Sequence, residues 1–302
     1  MRKTTLFKKY ILDDEILLLP GVPDAITARI AQNSGFKAVA RGGVTGIHIL
    51  GKPDVDLATL TELADWTAKM VDAVDIPVFA DGDTGHGNVT NVVRTVQLFE
   101  KAGVGGLFIE DQVAPKRCGH TAGKQVISVE EMAAKMKAAV DARKDQDLVI
   151  MARIDSLAVY GINEAIDRGN ICHEAGADLI FIEAPESVEQ MKKIRNEIGA
   201  PQMVNIINGG ETPILTPKQL QEMGFNAVVY PAACSCVIAK AVKDFFEDFY
   251  RTMDIESLGN RMMDFDAFFN LAGLESVRQA EGKYTEQGQT AVDSYRRKYI
   301  TK

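Results

Sequence analysis

The sequence predicts an α/β fold, a (β/α)8 TIM-type barrel with a C-terminal helical extension. Three observations predict it. Eight short apolar runs recur along the chain, segments of helical length separate them, and charged residues gather where the runs end. Runs that are apolar throughout, rather than alternating, suit parallel strands covered on both faces. A doubly wound open sheet also alternates strands with helices, but eight units in one series favour closure.

The first run is ILLLP (16–20), followed by PDAITARIAQNSG, an amphipathic segment of helical length. KAVAR (37–41) comes next and leads to DLATLTELADWTAKMVDAV. PVFAD (77–81) precedes NVVRTVQLFEKAG, where Gly103 reads as a C-cap. GLFIED (106–111) is followed by a long loop and then SVEEMAAKMKAAVDAR, where Ser128 ahead of Glu131 predicts a capping box. LVIMAR (148–153) precedes NEAIDRGNICHEAGA, with Gly176 as its C-cap. LIFIEA (179–184) precedes SVEQMKKIRNEIG, MVNII (203–207) precedes TPKQLQEMG, and AVVYP (227–231) ends the series. From about residue 232 to 270 the chain reads as helical, with AKAVKDFFEDFYRTM and NRMMDFDAFFNLAGL apolar on more than one side. The expected organisation is a catalytic barrel domain, 1–231, and a C-terminal helical extension, 232–302, which needs the barrel wall or another subunit as partner.

Composition narrows the function classes. The chain has 302 residues, 46% hydrophobic and 25% charged, as in a soluble globular protein with a substantial core. A net charge of −8 without any block of Lys and Arg argues against nucleic-acid or anionic-membrane partners. No stretch approaches the roughly 20 apolar residues of a membrane span. The start, MRKTTLFKKYILDDEILLLPG, is interrupted by Asp13, Asp14 and Glu15 and reads as neither signal nor transit peptide. Four cysteines without CxxC spacing point to a reducing, cytoplasmic setting.

Polar residues collect at the strand ends, where a barrel of this kind carries its active site. They are Arg41-Gly42-Gly43, Asp81 and Asp83, Glu110-Asp111, Arg153 and Asp155, Glu183 and Asn205. Strands also stop simply because loops are polar. Acids, arginines and an amide, rather than Ser, Lys and Gly, favour a site. In DGDTGHGN (81–88), Asp81 and Asp83 share a face and repel unless a cation or shared proton intervenes. With Glu110 they form an oxygen-rich set suited to Mg2+ or Mn2+. His48, His86, His120 and His173 lack zinc-ligand spacing. The loop EDQVAPKRCGHTAGKQVIS (110–128) sets Lys116, Arg117, Cys118 and His120 among Gly119 and Gly123. Adjacent cations stabilise a thiolate, which suits Cys118 to proton transfer; a solvated basic loop around a buried cysteine is the alternative. Cys172, Cys234 and Cys236 read as packing residues, and GVGG (103–106) precedes a strand, so a nucleotide loop is unsupported.

Together, DGDTGHGN, EDQ…PKRCGHTAGK and ARIDSLA resemble the isocitrate lyase/phosphoenolpyruvate mutase superfamily, from about Leu17 to Pro231. The KRCGH form is similar to its carbon–carbon lyase branch. The resemblance implies Mg2+-dependent cleavage of a 2-hydroxy acid to a 2-oxo acid and a carboxylate. It implies that Asp81 contacts the metal while Asp83, Asp54 and Glu110 hold its waters. It assigns Gly42, Gly43 and Arg153 to the 2-oxo acid, with Glu183 and Asn205 lining the site. Cys118 is then the proton donor, aided by Gly119 and His120, with Lys116 as a further catalytic cation. A homotetramer with exchanged C-terminal helices is implied as well.

The chain departs from the tricarboxylate-cleaving members. Ala38 and Ala40 stand where a Tyr and a Ser are usual, and Cys236 lies near the place of a strand-8 arginine. NIINGGETP (205–213) replaces the usual segment after the asparagine. Without that arginine a third carboxylate lacks a counter-charge, unless Arg41 supplies one. A 2,3-dimethylmalate-like substrate, giving pyruvate and propionate, is therefore expected, with 2-methylisocitrate as the alternative. Oxaloacetate hydrolysis, phosphonopyruvate chemistry and a catalytically silent binding barrel are the remaining alternatives.

Overall fold

Eight parallel strands form the expected barrel: β1 (Leu17–Pro20), β2 (Val39–Arg41), β3 (Val78–Asp81), β4 (Gly106–Glu110), β5 (Val149–Ile154), β6 (Leu179–Ile182), β7 (Gln202–Asn205) and β8 (Ala227–Tyr230). The structure is a computed structural model that describes residues 1–119 and 123–300. Each strand from β2 to β8 pairs with the next, and β8 pairs with β1. Between β1 and β2 the contact is a single bridge, Gly21 to Ala40, where the Val22 N–H donates to the Ala40 carbonyl at 2.9 Å.

The helices are α1 (Lys3–Ile11), α2 (Ala25–Asn33), α3 (Val44–Leu50), α4 (Leu60–Ala73), α5 (Val89–Ala102), α6 (Val129–Ala142), α7 (Leu157–Tyr160), α8 (Ile162–Glu174), α9 (Val188–Glu197), α10 (Pro217–Met223), α11 (Ala233–Thr252), α12 (Phe265–Leu271) and α13 (Leu274–Tyr299). Asp24, Thr59, Asn88 and Thr216 close reciprocal capping boxes. Ser128 caps α6 by accepting from the Glu131 N–H, but the expected return bond is not made. Gly103 ends α5 at φ 85°, and Gly176 lies just beyond α8 at φ 108°.

Inside the barrel, alternate residues of the strands form one apolar cluster that includes Ala40, Phe79, Phe108, Met151, Phe181 and Met203. The intervening residues, such as Val39, Ala80 and Ile109, pack outward with the helices. Helix α1, which the apolar pattern does not announce, closes the far end of the barrel. Phe7 and Ile11 join the interior cluster, and Phe7 stacks on Phe79 with ring centroids 5.3 Å apart. Gly105 leaves the room for it, because a Cβ there would run into Phe7, and a Cβ on Gly106 would strike Val149.

The chain divides into two compact units, Met1–Ala241 and Val242–Lys302, so the division falls within α11. The second unit holds the rest of α11, a 3-10 turn at Glu256–Arg261, and helices α12 and α13. Within it, Arg261 reaches Asp248 at 2.7 Å and lies over Phe245. The 26-residue α13 has no buried residue, and exposes Val277, Tyr284, Val292, Tyr295 and Tyr299.

Candidate active site

The strand side chains that face the barrel interior change character in their last step. Two residues beyond the apolar layer, on the same inward side, stand Gly42, Asp81, Glu110, Arg153, Glu183 and Asn205. The expected polar residues are thus the top layer of the barrel core. A cavity of about 250 Å³ opens above them, its floor formed by Phe79, Phe108, Phe181 and Met203.

Arg153 is the hub of this layer. Its guanidinium donates to both Asp155 oxygens, at 2.9 and 3.1 Å, and lies 3.0 Å from Glu183 Oε2 and 3.4 Å from Glu110 Oε2. The Phe108 and Phe181 rings lie beneath it at 5.7 and 5.6 Å. Those carboxylates hold its charge well above the usual arginine range despite burial. Glu183 Oε1 accepts from Asn205 Nδ2 at 3.2 Å and from the Ala184 N–H at 3.0 Å.

Asp81, Asp83 and Glu110 are buried together. Burial pushes the Asp83 carboxyl up to about 6, reinforced by Asp81 and opposed by Lys116 and Arg41. Burial also pushes Glu110 well above the carboxylate range, although Arg153 and Lys116 oppose it. Neither Glu110 oxygen accepts a hydrogen bond among the described residues. Buried carboxylates with spare lone pairs suit a hard divalent cation. Asp83 also comes near Asp56 and His86, their ligand atoms all lying within 4.8 Å of one another. Asp54 joins through Lys116, whose Nζ lies 2.6 Å from Asp54 Oδ1 and 3.0 Å from Asp83 Oδ1. Burial works against the Lys116 charge, but Asp83, Asp81, Glu110 and Asp54 outweigh it and keep the ammonium protonated. Gly43 is required here, because a Cβ would collide with the Asp54 carboxylate.

The loop after β4 carries Cys118 to the cavity wall beside Arg117 and Gly119. Its base is a short antiparallel contact: Gln112 bridges to Val126, and the Val113 N–H donates to the Gln125 carbonyl at 2.8 Å. The Gln112 side chain brackets Arg117, accepting from its N–H at 3.0 Å and donating to its carbonyl at 2.9 Å. Lys124 donates to the Gly119 carbonyl. Its ammonium also lies 3.6 Å from Asp155 Oδ1. His120 lies outside the described residues. Cys172 is buried as expected, whereas Cys236 is exposed.

Arg41 borders the cavity but directs its guanidinium elsewhere. It follows Val39 on the outward side of β2, and its Nε donates to Thr67 Oγ1 of α4 at 3.1 Å. The group lies 5.4 Å from the Phe99 ring of α5, and Nη2 donates to the Asp81 carbonyl. These contacts brace the aspartate loop, while Nη1 has no hydrogen-bond partner among the described residues.

A family model described as phosphoenolpyruvate phosphomutase matches residues 7–250. The chain is 41% identical over 286 residues to 2,3-dimethylmalate lyase of Eubacterium barkeri, covering 94% of this chain and 99% of that protein. It is also 41% identical over 241 residues to 2-methylisocitrate lyase of Halalkalibacterium halodurans, covering 80% of each. A crystal structure of 2,3-dimethylmalate lyase superposes with a TM-score of 0.88 at 30% identity, covering 94% of this chain and 96% of that one.

Proposed function

The chain belongs to the phosphoenolpyruvate mutase/isocitrate lyase superfamily, and we propose that it is a carbon–carbon lyase that cleaves a 2,3-dimethylmalate-like 2-hydroxy dicarboxylate to pyruvate and propionate. The observation that carries this reading is the inward polar layer, with Arg153 fixed among carboxylates beside Cys118, above an apolar floor. Asp81, with Asp83, Glu110 and Asp54 around it, would hold a Mg2+ ion (or Mn2+), which when bound stabilises negative charge on the substrate's 2-oxygen as a Lewis acid. Arg153 grips the carboxylate of the 2-oxo product, with the backbone N–H groups of Gly42 and Gly43 opposite and Glu183 and Asn205 completing the wall.

As the C2–C3 bond breaks, the 2-hydroxyl gives its proton to solvent, which later restores the Cys118 thiol, a carbonyl forms at C2, and the electron pair of the broken bond passes to C3. The adjoining carboxylate spreads that charge, and the cations Lys116 and Arg117 stabilise it electrostatically. The Cys118 thiol then delivers a proton to C3. Gly119 and His120 complete the subsite for the departing carboxylate.

The apolar floor favours methyl substituents. Among the described residues, four cations border the cavity: Arg153, assigned to the 2-oxo acid, already faces three carboxylates, Lys116 faces two, Arg41 donates to Thr67 and the Asp81 carbonyl, and Arg117 is assigned to the departing fragment, so a third carboxylate finds no further cation. Pro231 and Ala232 line the cavity after β8, where no arginine stands. An unmatched third carboxylate costs several kcal/mol. The 2-methylisocitrate reading has one observation in its favour, the 41% identity to a lyase of that name. A substrate panel separates the two. With Mg2+ and 2,3-dimethylmalate, 2-methylisocitrate, oxaloacetate or phosphonopyruvate, product release should give the methylated malate a kcat/KM at least ~100-fold above 2-methylisocitrate. Equal or faster cleavage of 2-methylisocitrate overturns this assignment.

The proposed assembly is a homotetramer in a reducing, cytoplasmic setting, with the helices beyond the barrel exchanged between subunits. The second unit exposes Phe246, Tyr250, Phe265 and Phe268, an apolar surface that association would cover. Sedimentation as a 33.0 kDa monomer overturns it.

A further inference from the structure

The backbone carbonyls of the loop 81–85 are fully accounted for. The Gly82 carbonyl accepts from the Gly85 N–H at 3.0 Å, and the Asp83 carbonyl from the Glu110 N–H at 2.9 Å. The other three accept from side chains of three separate elements. Arg41 of β2 donates to the Asp81 carbonyl, Lys135 of α6 to the Thr84 carbonyl at 3.1 Å, and Thr95 of α5 to the Gly85 carbonyl at 3.1 Å. All three donors are buried, Thr95 completely. The loop they hold turns through left-handed conformations, with Asp83 at φ 48° and Gly85 at φ 83°. Asp83 would not rest there without restraint.

Lys135 is the informative member. It sits between Met132 and Met136, which belong to the apolar helix layer, and its nearest carboxylate, Glu131, is 3.9 Å away. An ammonium buried so is a poor stabiliser of a fold, because an apolar residue of similar size does as well or better. Its hydrogen bond instead fixes the carbonyl next to Asp83.

We propose that Thr95, Lys135 and Arg41 are positioning residues that hold Asp81 and Asp83 in the geometry that binds a divalent cation. This rests on the reading that these aspartates hold the metal. Electrostatics and positioning give opposite signs, which makes the idea testable. A cation beneath the site repels Mg2+, so removing its charge alone tightens metal binding. Removing its grip on the loop loosens it.

The test measures Mn2+ binding to the full chain without substrate, by the electron paramagnetic resonance of free Mn2+. Thr95→Val keeps the shape and deletes the hydroxyl, Thr95→Ser restores it, and Lys135→Met deletes the ammonium. Thr95→Val and Lys135→Met should weaken Mn2+ binding by about 10–100-fold, with Thr95→Ser returning to near the wild-type value. Unchanged affinity in Thr95→Val overturns the proposal, and tighter binding in Lys135→Met reduces the lysine to a repelling charge. If Lys135→Met does not fold, the Thr95 pair decides the matter. A wild-type chain that binds no Mn2+ instead overturns the metal reading, before any variant is compared.

Discussion

Replacing Gly119 by alanine should disable the site through a single methyl group. A Cβ there would lie 2.5 Å from Glu183 Oε2 and 2.6 Å from its Cγ, and would press on Arg153 Nη2. Ordinary contact begins at 3.4 Å, so the Glu183 carboxylate must retreat by about 0.9 Å (3.4 − 2.5) and the nearer Arg153 Nη2 by more. Lys124 holds the Gly119 carbonyl, which keeps the loop from lifting away. Arg153 is tied to Asp155, Glu110 and Glu183, so it cannot retreat without breaking an ion pair. A displacement of about 1 Å in a positioning group costs on the order of 100-fold in rate, or about 2.7 kcal/mol at the transition state. The assay follows pyruvate release under steady-state conditions, with thermal unfolding to establish that the fold survives. Gly199→Ala, whose Cβ would meet nothing within 4 Å, is the control. If Gly119→Ala keeps within about threefold of wild-type kcat/KM while Gly199→Ala does the same, the Arg153–Glu183 pair does not position the substrate.

Chelation with EDTA should abolish turnover, and Mg2+ or Mn2+ should restore it; full activity in excess chelator refutes the metal reading. Cys118→Ala should lower kcat by about 10²–10⁴-fold while still binding the 2-oxo acid product, and a loss of less than about tenfold places the proton elsewhere. Cys172 gives a stability prediction. Burial raises its thiol to about 12, with Asp111 adding to the effect, against about 8.5 in an unfolded chain. Between those values the unfolded chain releases a proton that the folded chain keeps, so stability falls as pH rises through that window. Denaturant titrations should show a shallower fall in Cys172→Ala than in wild type, and parallel curves refute the assignment.

The strands and their order were legible because each is a short apolar run bounded by polar residues. The same property hid their sidedness. In a parallel barrel both faces of a strand are apolar, so nothing in KAVAR marks Ala40 as inward and Arg41 as outward. Counting in steps of two from Phe79 or Phe108 places Asp81 and Glu110 inside. The same count from Ala40 excludes Arg41, and it needs only one known inward residue to start. Helix α1 went unread because its stability comes from Phe7 and Ile11 plugging a barrel end that exists only in three dimensions. Asp54 enters from a loop, through space left by the missing Cβ of Gly43, and spacing has no purchase on such a contact. Lys135 and Thr95 sit in unremarkable helix positions, and what they grip is backbone that no side-chain pattern records.

The two-residue step that lifts the catalytic layer above its apolar floor also governs how this scaffold can diverge. Deleting one residue within β5 would bring a neighbour such as Ala152 or Ile154 into the inward place of Arg153 and turn the guanidinium toward the helices. A loss of two would keep its side but sink it by one layer. Within the strands, then, inherited change is confined to exchanges of side chain, while length is frozen. The loop after β7 carries no such phase, and its insertions and deletions reshape the cavity wall without disturbing the carboxylates below, whereas the loop after β4 is held to them by Lys116 and by the close approach of Gly119. Descendants of this chain with altered substrate range should therefore differ from it in the length of segment 206–216, with every barrel strand preserved residue for residue in number.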